Sequence, residues 1–185
     1  LFANVKAGDA ARDYPVPKSD QGLRLFSHRN VEWLAQPVVR WTWLLPVESM
    51  ANVDAALRDY RYQVLSFLIQ QRLAVQSRQA ESALLDPSAG YTRGAIYVPA
   101  RQTELSVEAF AKESKLKDAL REVYRELERA QRSGFSEEEV KAAAALLDGR
   151  AIDSPSNAQW ADKMLLHVRY GEALRSPDTQ HYLRG

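Results

Sequence analysis

Apolar residues recur at three- and four-residue intervals through residues 116–130, where Leu116, Ala119, Leu120, Val123, Tyr124, Leu127 and Ala130 form one stripe on an otherwise charged segment. That period predicts an amphipathic helix. Gly134 supplies its stop, because a residue without Cβ accepts the left-handed backbone that ends many helices. The next residues read as the start of a second helix. With Ser136 as N-cap, Glu139 falls at N3 and completes a capping box, while Phe135 and Val140 take the two positions of a hydrophobic staple. A corner specified this closely is not a loose linker.

The same reading extends to both sides. Residues 1–21 are polar and weakly periodic, with Pro15 and Pro17 holding an extended backbone, and read as an incoming linker. Alternation predicts a short strand through Leu23 and Leu25 to Ser27. A second strand spans Val38–Leu45, with Val39, Trp41, Trp43 and Leu45 on one face and Arg40 and Thr42 on the other. Its tryptophans, each able to bury roughly 150–250 Å², are expected to anchor the core. Val53, Leu57, Tyr60, Val64, Phe67 and Leu68 then mark a long helix to about Ser77, capped by Ser49 or Asn52, with Arg58, Asp59, Arg61 and Gln63 on its polar face.

Residues 80–90 fit either a brief strand or an irregular edge. Ala95–Val98 and Thr103–Ala109 read as a hairpin joined by Pro99, Ala100 and Arg101. Past the central corner, Ser154 and Pro155 offer a cap and first turn for a helix through Trp160, Met164 and Val168, ending near Gly171. Residues 176–185 read as a frayed tail or the start of a next segment. Grouped helices and short hairpin connections predict an α+β two-layer sandwich, an antiparallel-rich sheet with helices on one face, formed by a single domain over residues 22–175.

Composition narrows the function without choosing it. Lys and Arg total 25 against 24 for Asp and Glu, a net charge of +1, so no broad field draws the chain to nucleic acid or to an anionic membrane. No run approaches the roughly 20 apolar residues that span a bilayer. The absence of cysteine excludes disulfides, thiolate metal sites and a cysteine nucleophile. The chain starts at Leu1 with no leader pattern, and reads as a piece of a longer polypeptide.

Candidate chemistry is sparse. The three histidines, His28, His167 and His181, lie more than five residues apart from one another, so no helical face carries a two-histidine zinc clamp. His28 with Glu32, and His167 with Glu172, have suggestive spacings, but a solvated turn and an ordinary helix histidine account for them. A pocket gathering His167 with carboxylates would instead favour an unrelated α+β enzyme. Glu137, Glu138 and Glu139 suit the positive end of a helix dipole better than a cation site, and Arg72 and Arg78 suit the negative end of the long helix. Arg72 is kept as a candidate substrate contact. Trp33, Trp41, Trp43 and Tyr97 are core aromatics on one reading and a peptide groove on another. Thr103, Leu105 and Val107 mark a candidate peptide-binding edge, since a free strand edge accepts an extended peptide. No catalytic, cofactor-binding or metal-ligating residue is assigned.

Taken in order, Tyr14-Pro15-Val16-Pro17, the Gln71-Arg72-Leu73 helix end, the later hairpin and the run from Arg132-Ser133-Gly134-Phe135-Ser136 to Glu139-Val140 resemble a domain of the pitrilysin/insulinase family of zinc metallopeptidases. The likeness is greatest to the second domain of the long bacterial members. It implies a pitrilysin-type αβ domain beside a catalytic domain of the same chain, peptide as substrate and a periplasmic or cell-envelope location. It also implies that zinc and its inverted His-x-x-Glu-His motif belong to that catalytic domain, so no ligand transfers to this sequence. The alternative is a binding or assembly scaffold of the same fold, whose parent has no peptidase activity.

Overall fold

The computed structural model describes residues 36–46, 53–93, 102–148, 156–170 and 174. Within them lie β1 (Val38–Pro46), α1 (Val53–Ser77), β2 (Leu84–Arg93), β3 (Gln102–Ala111), α2 (Leu116–Ser133), α3 (Glu137–Asp148) and α4 (Asn157–Tyr170). The three strands form an antiparallel sheet in the order β1-β3-β2, with helices on one face, as the α+β sandwich requires. The expected strand at residues 23–27, the caps at Ser49 and Asn52, Trp33, Tyr97 and the two terminal segments lie outside the described residues.

The pleat explains the layering. β3 turns Thr103, Leu105, Val107, Ala109 and Ala111 inward, and all five are buried. Val107, Ala109 and Ala111 meet Ile69 and Leu73 of α1 and Ala119 and Val123 of α2, giving one core with Val39 and Leu84. Fully burying an aliphatic side chain of this kind stabilises by about 1.5–3 kcal/mol, so this layer is what holds the helices to the sheet. On the opposite, solvated face Arg40 bridges Glu104 and Glu108 across the β1–β3 pair. α3 packs on α1 through a smaller cluster in which Ala143 meets Phe67 and Leu68.

Several expectations are corrected by this arrangement. β3 is the central strand, hydrogen-bonded on both sides, so Thr103, Leu105 and Val107 offer no free edge. Of residues 80–90, expected as a brief strand or an irregular edge, those from Leu84 on belong to the ten-residue β2, which is the described hairpin partner of β3; Ala95–Val98 falls outside the described residues. The pairing register shifts between Leu85 and Ser88, where Asp86 takes a φ of 42° and Pro87 has no N–H to give.

Among the described strands β1 lies at the sheet edge, and its aromatic face anchors less than expected: Val39 is buried and Trp41 half-buried, but Trp43 is 38% exposed. The indole Nε1 of Trp41 is buried without a hydrogen-bond partner. α4 is capped by Ser156, whose backbone N–H donates to Gln159 Oε1 at 2.8 Å while its Oγ accepts from the Gln159 N–H at 3.3 Å. That is the capping box one turn before Trp160, in place of the expected cap at Ser154.

Candidate functional site

The α2–α3 corner forms as local chemistry dictates. Gly134 adopts φ +65°, and its N–H donates to Ala130 O at 3.0 Å. An added Cβ would meet nothing within 4 Å, so glycine is needed here for its backbone and not for space. Ser136 N–H donates to Glu139 Oε2 at 2.8 Å, and Glu139 N–H donates to Ser136 Oγ at 3.2 Å, completing the capping box. Val140, the second staple position, is 40% exposed.

Arg72 of α1 closes this corner from beneath. Its Nε and Nη2 each donate at 2.8 Å to the two oxygens of Glu139, a bidentate pair, and Nη2 also reaches Gly134 O at 3.1 Å. Nη1 lies 3.4 Å from Glu126, a buried α2 carboxylate that also pairs with Arg129 at 2.8 Å. The guanidinium stacks 4.1 Å over the Phe135 ring. The Arg72 hydrogen bonds, with the Ser136 N–H, pull the Glu139 carboxyl down from 4.5 to about 2. The same carboxylate raises the already high pKa of Arg72. The candidate substrate contact therefore sits in a clamp that joins α1, α2 and α3.

A second polar cluster escapes sequence reasoning. Asp59, expected on the solvated face of α1, is buried. It accepts from Tyr91 Oη at 2.7 Å and Gln63 Nε2 at 2.9 Å, and Arg93 Nη1 lies 3.4 Å away. Tyr91 stacks on Tyr62 with ring centroids 5.4 Å apart. Burial, and then the hydrogen bond to Asp59, push the Tyr91 hydroxyl far above its usual range. The available signal was spacing: Asp59 stands three and four residues after the buried Ala56 and Ala55, and seven before the buried Ser66. Glu122 of α2 is a third polar tie, accepting from Ser82 Oγ at 2.7 Å and Ala83 N–H at 2.8 Å.

Among the described residues the other candidates do not converge. His167 lies exposed on α4, while His28, Glu32, Glu172 and His181 lie outside the described residues. Of the acidic triplet, Glu139 belongs to the clamp and Glu137 pairs with Lys141 at 2.5 Å on the helix surface. Among the described residues no group of three or more His, Asp or Glu side chains could hold a metal ion.

No family model matches the sequence, and no curated protein matches it. Solved structures do. The periplasmic protease PqqL from Escherichia coli superposes with a TM-score of 0.67 at 16% identity, over 80% of this chain and 16% of that one. The first half of PqqL gives 0.67 at 17% identity, over 80% and 32%. A predicted insulinase family protease from Yersinia pestis gives 0.66 at 15% identity, over 82% and 33%. The chain thus spans less than a fifth of PqqL and about a third of the shorter two. At these identities the likeness is one of fold, shared with part of each of these proteases.

Proposed function

We propose that the chain is a noncatalytic domain of a zinc-dependent endopeptidase, packing beside the catalytic domain of the same polypeptide and forming part of the wall of its peptide chamber. The observation that carries this reading is the match of four-fifths of the chain to a fraction of each protease. The three widely spaced histidines support it, because no zinc-binding helix can be written from them. So does the chemistry of its polar clusters. Arg72, Asp59 and Glu122 are each turned onto neighbouring elements of the same fold. On this reading the zinc and the general base of the reaction lie in the catalytic domain, and peptide is the substrate.

A periplasmic or cell-envelope location accompanies the proposal, since PqqL is a periplasmic protease. Among the described residues no helix is long and apolar enough to cross a membrane. The test is a peptidase assay on the full-length parent polypeptide and on this chain alone. The parent should cleave unstructured peptides and lose that activity to a zinc chelator, and the isolated chain should cleave none. A parent inactive with zinc supplied would favour the scaffold reading. Cleavage by the isolated chain would overturn the noncatalytic assignment.

A further inference from the structure

Helix α2 carries a surface that the other described elements leave open. Its buried side is Ala119, Val123 and Glu126, yet Leu116, Leu120 and Tyr124, one helical row at i, i+4 and i+8, are 44%, 45% and 50% exposed. Single exposed leucines need no explanation, but three in line beside an aromatic strand do. The row is turned toward the edge strand, because the Tyr124 ring lies 6.0 Å from that of Trp41 on β1. One residue further along the sequence, and so about 100° further round the helix, stands a second row, Lys117, Arg121 and Arg125, all exposed. Among the described residues this row makes one ion pair, Arg121 with Asp118 at 3.1 Å, which is itself exposed and of little strength.

An apolar row bordered by cations specifies what covers it. A second copy of the chain is a poor fit, because an antiparallel twofold contact would place two basic rows side by side and a parallel one would set neither row against a carboxylate row. We propose that the row docks an apolar surface edged with carboxylates on a neighbouring domain of the parent polypeptide. This rests on the reading that the chain is one domain of several. The basic row supplies register and orientation, and the Leu116–Leu120–Tyr124 row with Trp41 supplies the buried area.

Hydroxyl-radical footprinting with mass spectrometry tests this on the full-length parent and on the 185-residue chain. Labelling of Leu116, Leu120 and Tyr124 should fall severalfold in the parent, and the Arg121→Glu/Arg125→Glu variant of the parent should regain it. The same pair of changes should leave the circular dichroism and melting of the 185-residue chain unaltered, because both side chains are exposed; Lys117→Glu serves as an independent charge reversal. Equal labelling in both proteins would overturn the proposal. Protection in the 185-residue chain that grows with its concentration would assign the face to a second copy, and protection that survives charge reversal would overturn the acidic occupant. Zinc content and peptidase activity of the same parent preparation separate the two ideas. Unchanged labelling in an active zinc enzyme removes the docking face alone, and reduced labelling in an inactive, zinc-free parent keeps the face and removes the peptidase reading.

Discussion

The two sides of α2 follow the same hydrophobic period and meet different fates. Toward the sheet, Ala119 and Val123 are sealed into the core and Glu126 is held by Arg72 and Arg129. Toward the β1 edge, Leu116, Leu120 and Tyr124 stay open to solvent. Ala119 and Val123, both small, face the core on the closed side, where Leu127 packs beside them, while the open row carries two leucines and a tyrosine. A stripe read from sequence is thus wider than the core it predicts. Its excess marks surface available to something else.

The sharpest way to break that contrast is Val123→Asp, which places an unpaired carboxylate in the core and should cost about 4 kcal/mol or more, enough to unfold a marginal domain. Soluble, cooperatively melting protein would show the inner side to be looser than described. Arg72→Ala should come next. It leaves Glu139 with only the Ser136 N–H, Gly134 O without the guanidinium and Glu126 with only Arg129, a loss of about 1.5–3 kcal/mol by chemical denaturation. Gly134→Val should cost about 1–2 kcal/mol, since a β-branched residue resists the positive φ. Leu120→Ser, on the open side, should stay within about 0.5 kcal/mol, and a larger loss would mean that the row supports the fold after all.

Acid probes the clamp without mutation. Glu139 has a folded value of about 2 against an ordinary 4.5, so its contribution is fully present above 4.5 and is lost as pH falls from there toward 2. Urea midpoints should decline across that window, and Glu139→Gln should flatten the decline. An identical pH profile in the variant would place the acid sensitivity elsewhere.

How much the sequence disclosed follows the range of the interactions. The Gly134–Ser136–Glu139 corner was legible because its hydrogen bonds close within a few residues, and α1 emerged with the expected ends because its stripe is long and regular. Arg72 reaching Glu139, 67 residues away, has no local signature. β2 was obscured because Asp86-Pro87 reads as a break, while the fold absorbs both residues in a bulge and pairs on either side. The peptide-edge assignment to Thr103, Leu105 and Val107 failed for a related reason: alternation identifies a strand but not its place in the sheet. Asp59 reads as part of the polar face of α1, and three donors from two elements make its burial tolerable.

The account stands most directly on whether this chain holds zinc by itself. Equilibrium dialysis of metal-free protein against micromolar zinc, read by atomic absorption, should find no stoichiometric tight site and no change on His28→Ala. One zinc retained per chain and lost in His28→Ala would contradict the noncatalytic assignment and make this domain a metal centre in its own right.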